Sequence, residues 1–117
     1  MFRVFRREVA DVNPSVYLDG ANGLDVGVAC KITSGALAKC AATDKPAYII
    51  RGKAPNGKYQ AEPVNHITEY ICPVTGSPAV GAVVTLGTDA ESVTATTTSG
   101  VFTVTRIADG MACGYFK

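Results

Sequence analysis

The chain has 117 residues, of which 47% are hydrophobic and 18% charged, and its formal net charge at pH 7 is +1. That length suits one domain, the apolar fraction is too high for intrinsic disorder, and the charge content is too high for a membrane bundle. With 11 basic against 10 acidic residues, the electrostatic footprint of a nucleic-acid-binding domain is missing, so no direct nucleic-acid partner is expected.

Residues 1–20 differ in kind from the rest and read as an N-terminal arm, either extended or a short helix. Phe2, Phe5, Val9 and Val12 are spaced by threes and fours, which on a helix makes one apolar stripe, with Arg3, Arg6 and Arg7 elsewhere. Phe2 and Val4 alternating about Arg3 fit an extended arm equally well. Asn13-Pro14-Ser15 should end either structure. Two functions follow from the composition. The phenylalanines cap the protein's own core, or Phe2, Arg3, Val4, Phe5, Arg6 and Arg7 dock on a partner while the body stays folded without them. A secretory signal is not expected, because Glu8 and Asp11 stand where an apolar region should follow the arginines.

Residues 21–117 read as a single β domain. Turn pairs recur at Asp19-Gly20, Asn22-Gly23, Ser34-Gly35, Asn56-Gly57, Ser99-Gly100 and Asp109-Gly110, residues that accept the positive φ of tight hairpins. Between them the pattern predicts strands over 25–32, 36–41, 47–51, 59–62, 67–72, 82–86, 92–97, 102–107 and 111–116. Short strands at roughly 8 to 12 residue spacing imply an all-β fold, a compact antiparallel sandwich or barrel. Eight threonines between residues 85 and 105 strengthen the β assignment there. In the strand over 102–107, alternation puts Phe102, Val104 and Arg106 on one face and Thr103, Thr105 and Ile107 on the other. The window 70–88 is uncharged, but Cys72-Pro73, Gly76-Ser77-Pro78 and Gly81 break it into strand and loop, so no membrane span is expected. Gly27 to Ile32 and Gly81 to Leu86 echo each other, an offset that would divide the body into two similar halves.

Chemistry finds little support. Cys30, Cys40, Cys72 and Cys113 are too scattered for a metal site, and they read as reduced, buried strand residues or as two disulfides. His66 is the single histidine, and only a Cys and His66 nucleophile pair would make the chain a hydrolase. Asp19, Asp25, Asp44, Asp89 and Glu91 lie in turns without calcium-loop spacing. Arg51, Lys53 and Lys58 beside Tyr48 and Tyr59 are the closest approach to a single-strand nucleic-acid platform. Tyr48, Tyr59, Tyr70 and Tyr115 would be the platform of a carbohydrate- or receptor-binding β module, the alternative function. No enzyme activity and no cofactor is expected.

The succession Gly27-Val28-Ala29-Cys30-Lys31-Ile32, Ser34-Gly35-Ala36-Leu37-Ala38-Lys39-Cys40, Thr43-Asp44-Lys45-Pro46-Ala47-Tyr48-Ile49-Ile50, Gly81-Ala82-Val83-Val84-Thr85-Leu86 and Gly110-Met111-Ala112-Cys113-Gly114-Tyr115-Phe116 resembles the small decoration proteins of tailed-phage capsids, also called head-stabilising, cement or head-fibre base proteins. The resemblance covers about residues 24–117 and is one of pattern. It implies a non-enzymatic virion protein, made in the bacterial cytoplasm, that binds the major capsid protein on the outside of the assembled shell and stabilises it. It further implies a homotrimer, for whose contact edge Ile49, Ile50, Tyr70 and Val104 are candidates. The segment Phe2 to Arg7 occupies the end from which such proteins reach the shell.

Overall fold

The computed structural model describes residues 1–7, 15–65 and 67–117, with Arg6 and Arg7 as backbone. Val9 and Val12 of the predicted helical stripe, together with His66, lie outside the described residues. Ten strands are present: β1 (Arg3–Arg7), β2 (Val16–Leu18), β3 (Ala29–Thr33), β4 (Ala36–Lys39), β5 (Tyr48–Lys53), β6 (Tyr59–Pro63), β7 (Thr68–Pro73), β8 (Val83–Val84), β9 (Phe102–Ala108) and β10 (Met111–Phe116). No described residue is helical, and no helix is long and apolar enough to cross a membrane.

The strands form two five-stranded antiparallel sheets, ordered β1-β7-β10-β9-β8 and β2-β6-β5-β3-β4. The fold is all-β as expected, and of the two expected forms, sandwich or barrel, it is the sandwich. One apolar core draws Tyr70, Val84, Phe102, Val104, Ala112 and Phe116 from the first sheet and Leu37, Ile49, Ile50, Tyr59 and Ala61 from the second, as sheets with one apolar face each must pack.

The internal echo extends to topology. Within the two sheets, β7-β10-β9-β8 and β2-β6-β5-β3 follow the same order. Their strand starts keep step, with Ala29 to Val83 and Tyr48 to Phe102 both 54 residues apart, and Val16 to Thr68 and Tyr59 to Met111 both 52. Gly27 and Gly81, which precede β3 and β8, both take a left-handed φ, at 88° and 93°. The first sheet then gains β1 beyond β7, and the second gains β4 beyond β3.

Local chemistry explains the hairpins. Ser34 and Gly35 have φ of 52° and 80°, and Asp109 and Gly110 have 54° and 74°, so both two-residue turns have positive φ at both positions, which matches the twist of the strands they join. Residues 92–97 depart from expectation, since they form no strand and only Val93 makes isolated bridges, to Val74 and Leu86. Thr94 explains this: its hydroxyl meets that of Thr85 at 2.8 Å and accepts from the Thr96 N–H at 3.1 Å. A threonine side chain that takes up a nearby backbone group competes with a regular ladder.

The N-terminal segment is built into the sandwich. Residues Arg3–Arg7 are extended and pair antiparallel with β7, and residues 16–18, expected within the arm, form β2 against β6. Phe2 is 2% exposed in the core, with its ring centroid 5.0 Å from Phe116 and 5.9 Å from Phe102. Its N–H donates to the Gly27 carbonyl at 3.0 Å, and the Met1 ammonium donates to the Glu91 carbonyl at 2.9 Å. Of the two phenylalanines only Phe2 caps the core; Phe5 is 42% exposed. Phe2→Ala should therefore cost about 3 to 5 kcal/mol, whereas Phe5→Ala should cost under about 1 kcal/mol, as measured by denaturant unfolding in reductant. Removing residues 2–7 should leave a poorly folded body, contrary to what a free arm would allow.

Candidate functional site

Registers across the first sheet define its two faces, because residues directly opposite one another point the same way. Val4, Tyr70, Gly114 and Val104 make one cross-strand row on the core side. Arg3, Ile71, Cys113 and Arg106 make the neighbouring row on the outer side. Arg106 reaches that face because of a bulge: the register shifts between Cys113 and Gly114, leaving Thr105 as the extra residue of β9. Alternation alone had grouped Arg106 with Phe102 and Val104. The bulge reverses the parity beyond Thr105, turning Arg106 outward opposite Cys113 and Ile107 inward against the core.

A second bulge, between Val4 and Arg6, lies in β1. Phe5 sits there and folds over the outer face, where it lines a groove of about 200 Å³ with Ile71, Cys113, Met111, Arg106 and Asp109. Cys113 is 4% exposed yet stands apart from the central core cluster, so it is covered from outside by these neighbours. Glu69, on the same face and 3% exposed, accepts a hydrogen bond from the Thr105 hydroxyl.

Three ion pairs lie elsewhere on the molecule. Lys31 donates to Asp44 at 2.7 Å, Arg51 lies 3.3 Å from the buried Glu62, and Lys58 lies 3.4 Å from Asp19. The basic group considered for nucleic acid is thus mostly neutralised, and the Lys53 ammonium sits 5.4 Å from the Tyr59 ring centroid. Arg3 and Arg106 form no ion pair among the described residues. A larger cleft of about 390 Å³ opens between the sheets, lined by Phe2, Arg3, Val4, Arg51, Glu62 and Tyr70 among others. The N-terminal segment closes one side of it.

Several sequence-level groupings are not assembled. Tyr59 and Tyr70 are buried at 3% and 0%, so Tyr48, Tyr59, Tyr70 and Tyr115 form no common surface. Ile49, Ile50, Tyr70 and Val104, suggested for a contact edge between subunits, are each at most 1% exposed in the core. Asp44 accepts from Lys31 and from the Ala41 N–H, and Asp89 accepts from the Glu91 N–H and from Ser92. These carboxylates brace turns, and no group of three metal-ligating side chains converges among the described residues. All four cysteines are buried, and none is in a disulfide. Burial pushes the thiol of Cys30 up to about 11 and those of Cys40 and Cys72 up to about 12, which suppresses the thiolate that nucleophilic attack needs. Of the six N-terminal residues singled out, the structure gives Phe2 and Val4 to the core side and Arg3 and Phe5 to the outer face; for Arg6 and Arg7 it gives the register, opposite Glu69 and Thr68. Ile71, Met111, Cys113 and Arg106 were not expected as part of one surface.

Comparison with protein-family models, with curated proteins and with solved structures finds no match.

Two outcomes follow from this chemistry. In the native protein at pH 8, a disulfide-exchange reagent should titrate almost no thiol, while the denatured chain should yield all four. The Asp44 carboxyl is held below the usual range, first by the Lys31 side chain and then by the Ala41 N–H. Its contribution is therefore present above the ordinary aspartate range and lost as the pH falls through the depressed native value. Asp44→Asn should lower the melting temperature at neutral pH and flatten its fall on acidification, as read by thermal melts across the acid range.

Proposed function

We propose that this chain is a structural, non-enzymatic docking domain of the capsid-decoration type, which binds the major capsid protein on the exterior of an assembled phage shell. Support comes from the residue pattern over 24–117 and, in the fold, from one observation: β1 is an edge strand. Only β7 pairs with it among the described residues, and it carries Arg3, Phe5, Arg6 and Arg7 along that edge. An open strand edge offers unpaired backbone donors and acceptors to an added strand, while alternate side chains set the choice of partner. Arginines next to it can take carboxylates in paired hydrogen bonds.

The N-terminal residues then act as part of a rigid body rather than as a loose tether. That geometry suits a cement role, since ordering costs are met when the domain folds and not when it binds. Each copy needs only modest affinity if a homotrimer engages its site at three points. Synthesis in the host cytoplasm agrees with four free thiols. The four tyrosines considered for a carbohydrate- or receptor-binding module share no surface, given the burial of Tyr59 and Tyr70.

The test is co-sedimentation of the purified protein, in reductant, with gradient-purified capsids that lack it. Saturable binding at a fixed symmetric ratio to the shell subunit is expected. Arg3→Glu combined with Phe5→Ser should lower occupancy at least tenfold with a near-unchanged melting temperature, and the His66→Ala protein should bind normally. A folded wild-type protein that leaves capsids bare would overturn the proposal and turn attention to glycan ligands.

A further inference from the structure

We infer that the chain is a fused pair. Residues 16–64 and 70–117 are two copies of one unit, each copy builds one sheet, and the inner faces of the sheets form a subunit-type interface that the halves also make as separate chains. This goes beyond the docking function proposed above and does not rest on it. By register, the copies match residue for residue. Shifting β2, β3 and β5 by 54 residues and β6 by 53 turns all ten of their mutual cross-strand pairs into pairs within β7, β8, β9 and β10. Ile50 opposite Ala61, for example, becomes Val104 opposite Gly114. The bulges coincide too, with Arg51 the extra residue in β5 and Thr105 the extra residue in β9. Hydrogen bonds outside the ladders repeat at the same offsets. The Gly27 N–H donates to the Ile50 carbonyl at 2.8 Å, as the Gly81 N–H does to the Val104 carbonyl at 2.8 Å. The Val64 N–H donates to the Ala47 carbonyl at 3.0 Å, as the Lys117 N–H does to the Val101 carbonyl at 2.8 Å.

Such agreement goes beyond a shared β pattern, because a bulge and the bonds around it are set by how two strands pair. Each copy supplies one sheet, so the contact between copies is the sandwich core itself. The copies have diverged where they meet. Tyr70, Phe102 and Phe116 of the second copy stand where the first has Val16, Tyr48 and Pro63, whereas Tyr59 of the first stands where the second has Ala112. Large and small positions are thus divided between the copies, so each half fits the other rather than a second copy of itself. β1, which precedes the first copy, joins the sheet of the second, where it pairs with β7 and brings Phe2 against Phe102 and Phe116. Exchange of a terminal element of this kind is a route by which separate subunits hold together.

The experiment places a protease site after Asn65 in the full chain, cuts the folded protein in reductant and compares it with the uncut form. The cut protein should elute from gel filtration at the uncut position at micromolar concentration. Its melting temperature should rise with protein concentration, as association of two chains requires, whereas that of the uncut protein should not. Each fragment alone should show no cooperative melt, and mixing the two should restore the amide spectrum of the cut protein. Phe2→Ala in the cut protein should weaken reassociation by about tenfold or more. Co-expression of fragments 1–65 and 66–117, with an affinity tag on one alone, reads the same association without an inserted site, and both should be recovered together. Fragments that part on gel filtration at micromolar concentration, co-expressed fragments that do not co-purify, or a single fragment that melts cooperatively by itself would overturn the inference.

Discussion

The packing of Phe116 against three other rings is the contact on which the rest of this sandwich depends. Its centroid lies 5.0 Å from Phe2 and 5.2 Å from both Tyr70 and Phe102. Those rings belong to β7, β9, β10 and the residue that leads into β1, so one cluster ties the N-terminal segment to the last strand of the chain. Each well-oriented aromatic pair adds about 0.5 to 1.5 kcal/mol beyond its buried area. Room for the cluster depends on Gly114, where a Cβ would collide with the Thr103 carbonyl and the Phe102 ring. With Phe2 held inside, alternation along β1 puts Arg3 on the opposite, solvent-facing side.

Irregularities in the ladders then decide what that outer side presents. The bulge at Thr105 brings Arg106 out and Ile107 in, and the bulge in β1 lies where Phe5 folds over Ile71 and Cys113. Each extra residue reverses the facing of everything beyond it in its strand. Without the bulge in β9, Ile107 would stand on the outer face beside Ile71 and Cys113; with it, Arg106 ends that cross-strand row. Such bulges also increase local twist, which makes an edge less available to indiscriminate pairing.

Electrostatics elsewhere serves the fold. Lys31 with Asp44, Arg51 with Glu62 and Lys58 with Asp19 use up basic groups near acidic ones, and turn carboxylates accept backbone N–H groups at Ala41 and Glu91. The two exposed pairs, Lys31 with Asp44 and Lys58 with Asp19, contribute little stability individually. On the first sheet, Arg3 and Arg106 form no ion pair among the described residues. The buried cysteines fill core volume, and burial raises the thiols of Cys30, Cys40 and Cys72.

Much of the architecture was legible in the sequence because it depends on local rules. Ser34-Gly35 and Asp109-Gly110 specify their own hairpins, the period-two runs specify strands, and the spacing of Gly27 and Gly81 marks the two repeated halves. Phe2 and Phe5 announced an unusual terminus but not their different fates, since both fit either an inward or an outward position until β7 supplied the register. Residues 92–97 looked like a strand, yet the Thr94 hydroxyl found its partners at Thr85 and Thr96, a competition that depends on which loop lies alongside. The sequence by itself determined the all-β class and the turns. Only the tertiary structure decided which side Arg106, Ile107 and Phe5 face, because a bulge is set by the pairing of two strands, and the shift it introduces leaves no mark in either strand alone.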